Sequence, residues 1–343
     1  MFDPEKWARP NVQKLKPYAS ARDEYTGEAH IWLDANENPF ESGLNRYPDP
    51  HQRALKAAIA KEKSVNSDQI FLGNGSDEAI DLLIRAFCVP RQEAILALPP
   101  TYGMYAVSAA LNDVEIVEVA LTNDFQMDMA SLLPKLQDSR VKLIFICSPN
   151  NPSGNLIERK DVLQVLESFR GIVVVDEAYI DFAESESLTQ IIDEFPNLVV
   201  MQTFSKAWGL AGVRLGMAFA EARIIRILNR IKPPYNINSL TQKVVLEKLT
   251  QRDQVLEAIQ KIKSEKRRLV EALKSIPRCL DVFPSDANFV LARFENANEL
   301  YDKLCKAGIV VRNRSGVVSN SLRLTIGTAE ENDLLIEVLR LKY

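Results

Sequence analysis

Lys206 stands at the end of an apolar run in TFSKAWGLAGVRLG, residues 203–216, with Thr203, Ser205 and Arg214 close by. Lysine traps carbonyl groups as Schiff bases and loses its proton readily when desolvated. Arginine grips a phosphate through a planar fork, where lysine offers only a point charge. The combination reads as a carbonyl trap beside a phosphate cradle and points to pyridoxal phosphate. Lys206 alone would carry little, because Lys and Arg total 42 and most such residues are solvated surface charges.

A second segment shifts the balance. IVVVDEAYIDF, residues 172–182, is a short apolar run ending in an acid. It predicts a parallel strand buried on both faces, with Asp176 at its carboxyl end, the edge where open α/β sheets bind ligands. A carboxylate there can keep the cofactor's pyridine nitrogen protonated, so that the ring accepts electrons. Tyr179, three residues on, is placed to reach the ring's phenolic oxygen. A strand ending in Asp-Glu also fits the magnesium-binding half of a nucleotide hydrolase. The phosphate loop of that class ends in Gly-Lys, a pair this chain does not contain. The dinucleotide fingerprint fails as well: Gly73 and Gly75 supply two glycines, but Glu78 takes the place of the third.

GNGSDE, residues 73–78, makes sense as another kind of anion site. QIFL reads as a strand, Gly73 and Gly75 as a turn, and Ser76 as the N-cap of a helix with the apolar stripe Ile80, Leu83, Ile84 and Phe87. Free backbone N–H groups at such a start bind phosphate, provided that Glu78 and the Asp77 side chain point away. Leu322, Leu324 and Ile326 alternate with Arg323 and Thr325, so Arg323 belongs to a strand.

These segments, taken in order, resemble those of the fold-type I pyridoxal-phosphate aminotransferases, and within them the histidinol-phosphate aminotransferases. The likeness runs from LKPYASAR to SLRLTIGTAEEND and rests on LDANENPF, NRYPDP, GNGSDE, PPTYGMY, SPNNPSG, VVVDEAY, SKAWGLAGVRLG and LRLTIGT. It implies that Lys206 bonds the cofactor aldehyde and serves as the general base, moving a proton from the substrate's α-carbon to the cofactor carbon C4′. Asp176 then faces the pyridine nitrogen, Asn151 and Tyr179 bind the O3′ oxygen, and Tyr102 stacks on the ring. The backbone amides of Ser76 and Asp77, Ser205 and Arg214 hold the phosphate, and Gly75 and Thr203 belong to the same cofactor-binding set. The resemblance also implies a homodimer with shared sites, in which Tyr47 reaches the neighbour's cofactor phosphate and Tyr18 the neighbour's substrate phosphate. Asn36, Arg312 and Arg323 are implied as substrate contacts, Arg323 serving a phosphate in one half-reaction and the carboxylate of glutamate in the other. The reaction so implied passes the amino group of L-histidinol phosphate to 2-oxoglutarate. Departures are few: the stretch after Arg312 is short, and Trp208 and Val213 stand where Phe and Leu are frequent, which alters packing more than chemistry. Tyr235 and Asn236 receive no role.

The elements that must position these groups follow from periodicity. The class expected is α/β: a large domain with a mostly parallel central sheet flanked by helices, and a smaller α+β C-terminal domain. Residues 1–30 read as an arm, 31–231 as the large domain with strands IFLG, AILALP, VEIVEV, LIFICS, IVVVDE, NLVVMQTF and RLGMAFA, and 232–343 as the small one. A charged amphipathic run, 239–273, reads as one connecting helix, and KSEKRRL within it as an exposed face. At 343 residues the chain exceeds the size at which a single core stops growing.

A net charge of −4 gives no electrostatic reason to bind nucleic acid. Cys88, Cys147, Cys279 and Cys305 lack Cys-x-x-Cys spacing and read as reduced thiols. His30 and His51 are too few and scattered for a histidine-rich metal site, although His51 could line the site entrance. No apolar targeting core opens the chain and no apolar run approaches ~20 residues, so a cytoplasmic protein without membrane contact is expected. Two alternatives stay open on the same scaffold: a threonine-phosphate decarboxylase or aromatic aminotransferase, and, more remotely, a non-catalytic sensor. The intact lysine and the absence of a helix-turn-helix segment before residue 1 speak against the sensor.

Overall fold

The computed structural model describes residues 2–16, 21, 25 and 30–341. A seven-stranded sheet is built from β1 (Ile70–Asn74), β2 (Ala94–Ala97), β3 (Glu115–Glu118), β4 (Val141–Cys147), β5 (Ile172–Asp176), β6 (Leu198–Thr203) and β7 (Leu215–Ala220). Their order is β1-β7-β6-β5-β4-β2-β3, and β7 alone runs against the rest, antiparallel to both β1 and β6. Each segment read as a strand of this sheet forms one. The apolar runs in β4 and β5 are explained by burial on both faces: Val173 and Val175 pack into one core with Ile144 and Ile146, while Ile172 and Val174 pack into the other with Leu143 and Phe145.

The second sheet, β8 (Cys279–Val282), β9 (Phe289–Phe294), β10 (Arg312–Asn313) and β11 (Ser321–Thr325), is antiparallel in the order β10-β11-β9-β8. Its core joins Val290, Ala292, Leu322 and Leu324 to Leu269 and Leu273 of the helix Arg252–Lys274.

Two expectations need correction. The run 239–273 is two helices, Ser239–Leu249 and Arg252–Lys274. At the break the Thr250 hydroxyl bonds back to the carbonyl of Glu247 at 2.7 Å, a local bond that competes with helix continuation. KSEKRRL is not wholly a solvated face, because Lys266 donates to the carbonyls of Ser285 and Ala287 at 2.7 and 2.8 Å. The start of the segment read as an arm is docked on the rest of the chain. The short helices Pro4–Trp7 and Pro10–Lys14 bury Ala8 and Val12, and Trp7 Nε1 donates to the Lys142 carbonyl at 3.3 Å.

Candidate active site

β1, β4, β5 and β6 end on one edge of the large sheet, and β7, running the other way, begins there. This places Gly75, Cys147, Asp176, Thr203 and Arg214 around a single cleft. Ser76, Asp77, Tyr102, Asn151, Tyr179, Ser205 and Lys206 complete its walls. Among the cofactor contacts expected from sequence, Tyr47 alone lies outside it.

One end of the cleft is built for an anion. The helix Ser76–Phe87 starts with no side chain capping it, so its first N–H groups remain free for a ligand. Gly75, and not Ser76, is the N-cap: φ +75 with ψ 168 is open to glycine, and Ser76 becomes the first helical residue. A Cβ on Gly75 would lie 2.7 Å from Nη2 of Arg214, and one on Gly216 would lie 2.2 Å from the Ser76 nitrogen. Gly216 is therefore required by close approach to backbone, and Gly75 by its positive φ. Arg214 itself adopts a left-handed backbone, φ 57 and ψ 50, with its carbonyl accepting from the Gly75 N–H at 2.9 Å. Thr203 Oγ1 donates to the Leu215 carbonyl and accepts the Ser205 N–H at 3.1 Å, tying the Ser205–Lys206 turn to β7.

Glu78 turns away as expected, accepting from the amides of Asn74 and Asn236. Asp77 does not. Its carboxylate faces the cleft, accepting the Tyr102 hydroxyl at 3.1 Å and lying 3.7 Å from Nη2 of Arg214. The arginine pulls the acid inward, a pairing between β7 and the helix start that linear spacing does not reveal.

The opposite wall carries the acid and the base. Asp176 accepts the Ala178 N–H at 3.1 Å and the Tyr105 hydroxyl at 2.8 Å. Burial pushes its carboxyl up to about 6, against the pull of those two bonds. The Lys206 ammonium sits 5.6 Å from the Tyr179 ring centroid. Burial, reinforced by the Arg323 charge, holds its pKa below the ordinary lysine value, while Asp176 opposes. Burial also raises the phenols of Tyr102 and Tyr179, which stay neutral donors at physiological pH.

Arg323 reaches toward this wall from β11. Its Nη1 donates to Asn151 Oδ1 at 2.6 Å, its guanidinium lies 5.1 Å from the Phe289 ring centroid, and its buried Nε has no partner among the described residues. Arg312 pairs with Arg323 in the β10–β11 register, but its side chain is exposed. Arg314, passed over in the sequence, is the more buried of the two, and its Nε is also unpartnered among the described residues. Tyr105 was missed because PPTYGMY carries two tyrosines and no local pattern tells which faces the acid.

Asn36 and Tyr47 line a different depression, with Leu44 and Arg46, so the structure brings neither to this chain's own cleft. Tyr47 stacks on Tyr235 at 4.5 Å, and Asn236 bonds to the carbonyl of Leu72 at 2.8 Å, which gives both residues of the Pro-Pro turn a structural role. His51 is exposed and away from the cleft, and Tyr18 lies outside the described residues.

Comparison with known proteins agrees with this geometry. Residues 23–339 match the family model for aminotransferase class I and II. The chain is 51% identical to the histidinol-phosphate aminotransferase of Cytophaga hutchinsonii over 338 residues, covering 97% of each. Among solved structures, the histidinol-phosphate aminotransferase from Clostridium acetobutylicum superposes with a TM-score of 0.80 at 29% identity, over 87% of this chain and 90% of that one. The L-threonine-O-3-phosphate decarboxylase from Porphyromonas gingivalis is more distant, with 25% identity and a TM-score of 0.73 over 86% and 90%. With the lysine, the acid and the anion cradle lining one cleft in a chain this similar over its length, the protein belongs to the class I and II aminotransferases, in the branch of the histidinol-phosphate aminotransferases.

Proposed function

We propose that the protein transfers the amino group of L-histidinol phosphate to 2-oxoglutarate, yielding imidazole acetol phosphate and glutamate, a step of histidine biosynthesis, with pyridoxal phosphate as cofactor. The observation that carries this reading is the convergence of Lys206, Asp176 and Arg214 with an uncapped helix start in one cleft. Those groups match the cofactor's aldehyde, ring nitrogen and phosphate in chemistry. When bound, the cofactor supplies an electron-accepting pyridinium that stabilises negative charge at the substrate's α-carbon.

The chain's own residues do the rest. Lys206 Nζ, partly desolvated and so poised to lose its proton, would take the α-proton of the substrate and deliver it to the cofactor carbon C4′. Asp176 holds the proton on the ring nitrogen. Asn151, with Oδ1 engaged by Arg323, has its NH2 left to donate to the ring's phenolic oxygen, beside Tyr179. Ser205, Arg214 and the N–H groups of Ser76 and Asp77 hold the phosphate, which must displace the Asp77 carboxylate from beside Arg214 to do so. Arg323 grips the anionic end of the substrate through the N–H groups it does not spend on Asn151.

A homodimer with shared sites is part of the same reading. Leu33 and Phe40 are 87% and 80% exposed, and Ile31, Leu44 and Tyr47 of the same stretch are exposed as well, apolar side chains that a second copy would cover. Four free thiols, two of them buried, support a reducing, cytoplasmic location. No described helix is long and apolar enough to cross a membrane.

The test is a half-reaction. Adding histidinol phosphate to the cofactor-loaded protein is expected to convert the bound cofactor from its aldehyde to its amine form, with 2-oxoglutarate reversing the change. Carbon dioxide released from threonine phosphate, without that conversion, would overturn the assignment.

A further inference from the structure

Tyr105 is wholly buried in the helix Met104–Leu111, stacked on Phe145 with centroids 4.8 Å apart and edge-on to Tyr102 at 5.6 Å. A phenylalanine would fill the same space. A buried hydroxyl costs free energy unless it is bonded, so its presence is explained by its partner rather than by packing. That partner is Asp176: the phenol donates to Oδ2 at 2.8 Å while the Ala178 N–H occupies Oδ1.

We propose that Tyr105 is a positioning residue for transamination, locking Asp176 as an ionised counter-ion and thereby setting how fully the proton resides on the cofactor's ring nitrogen. This rests on the pyridoxal-phosphate reading above. Two donors, one on each oxygen, fix the carboxylate plane and favour its charged form.

The other titratable groups around Asp176 cannot substitute. Asp77 at the helix start repels the charge, and Lys206 attracts it only through space. Cys147 on β4, Tyr102 ahead of the Tyr105 helix and Tyr179 after β5 are all pushed up by burial and stay neutral. Tyr105 is likewise held well above the ordinary tyrosine value, by burial first and by Asp176 next, so it donates without ionising. Among the described residues, no other side chain donates a hydrogen bond to Asp176.

The experiment compares the parent with Tyr105→Phe, each loaded with pyridoxal phosphate carrying 15N at the ring nitrogen. In the variant the more basic carboxylate should draw the proton, moving the 15N signal at neutral pH toward that of neutral pyridine. The acid limb of kcat/KM should move up by about one pH unit, the size expected for one hydrogen bond to a charged group. Infrared titration of the cofactor-free proteins, with Asp176→Asn identifying the band, should show the Asp176 carboxyl titrating higher in Tyr105→Phe. A variant that changes only its melting temperature, with the 15N signal, the acid limb and the carboxyl titration unmoved, reduces Tyr105 to packing and overturns the proposal. Failure of the parent to bind the labelled cofactor would sink the cofactor reading instead, and the infrared titration would still judge the Tyr105–Asp176 bond.

Discussion

Arg323 and Asn151 meet across 172 positions of sequence, with Nη1 of the arginine donating to Oδ1 of the asparagine at 2.6 Å. One bond therefore ties the second sheet to the loop after β4, orients the Asn151 amide, and leaves the buried Nε of Arg323 for an anion. The proposed substrate grip and the proposed cofactor contact would thus be coupled through a single guanidinium.

Replacing Arg323 by lysine keeps the charge and loses the fork. Arg323→Lys is expected to lower kcat/KM by about 10- to 100-fold for both histidinol phosphate and glutamate, the cost of a lost charge-assisted bond. Steady-state kinetics with each substrate check this. An unchanged value for either would remove Arg323 from that half-reaction.

Asp176 sets function against stability. Its folded pKa of about 6 lies above the ordinary value of 3.8, so the native state binds the proton more tightly. Its stabilising contribution is complete below pH ~4 and is lost as pH rises through ~6. Asp176→Asn should therefore stabilise the cofactor-free protein at pH 8 by up to ~3 kcal/mol, with the gain vanishing near pH 4, while abolishing turnover. Denaturant melts at the two pH values measure it.

The two glycines of the anion end should fail differently. Gly216→Ala drives a Cβ to 2.2 Å from a backbone nitrogen, which cannot give way, and is expected to destabilise the fold by ~3 kcal/mol or more. Gly75→Ala meets the mobile end of Arg214 at a left-handed φ, and should cost only ~1–2 kcal/mol of stability. Its larger effect should be on cofactor affinity, because Arg214 is displaced. Thermal melts and cofactor titration separate the two.

The proposed sharing of sites between two copies makes a complementation test available. Lys206→Ala and Tyr47→Ala should each be inactive, and the former should carry no cofactor fixed by borohydride. Mixing them under exchange should restore about a quarter of parental activity, since half the dimers are mixed and each has one intact site. No recovery would place Tyr47 outside the partner's site.

Much of the site was legible because its pieces are local. An apolar run ending in Asp176, a lysine just after another apolar run, and a glycine turn before an amphipathic helix each lie within about a dozen residues. Strand periodicity and burial on both faces made all seven strands of the large sheet readable. The break at Thr250 was less readable, since the apolar stripe continues through it and the first helix is ended by local bonds from the Thr250 hydroxyl and the backbone N–H groups of Thr250 and Gln251.

The residues by themselves determined the chemistry on offer, a base, an acid and an anion cradle, because those properties belong to side-chain type and short spacing. Tertiary structure alone decided which groups face one another. It turned Asp77 inward toward Arg214, set Arg314 deeper than Arg312, and joined Tyr105 to Asp176. These choices depend on the reversed direction of β7, on the β10–β11 register and on helix packing over the sheet, which arise from long-range burial and leave no mark on neighbouring residues.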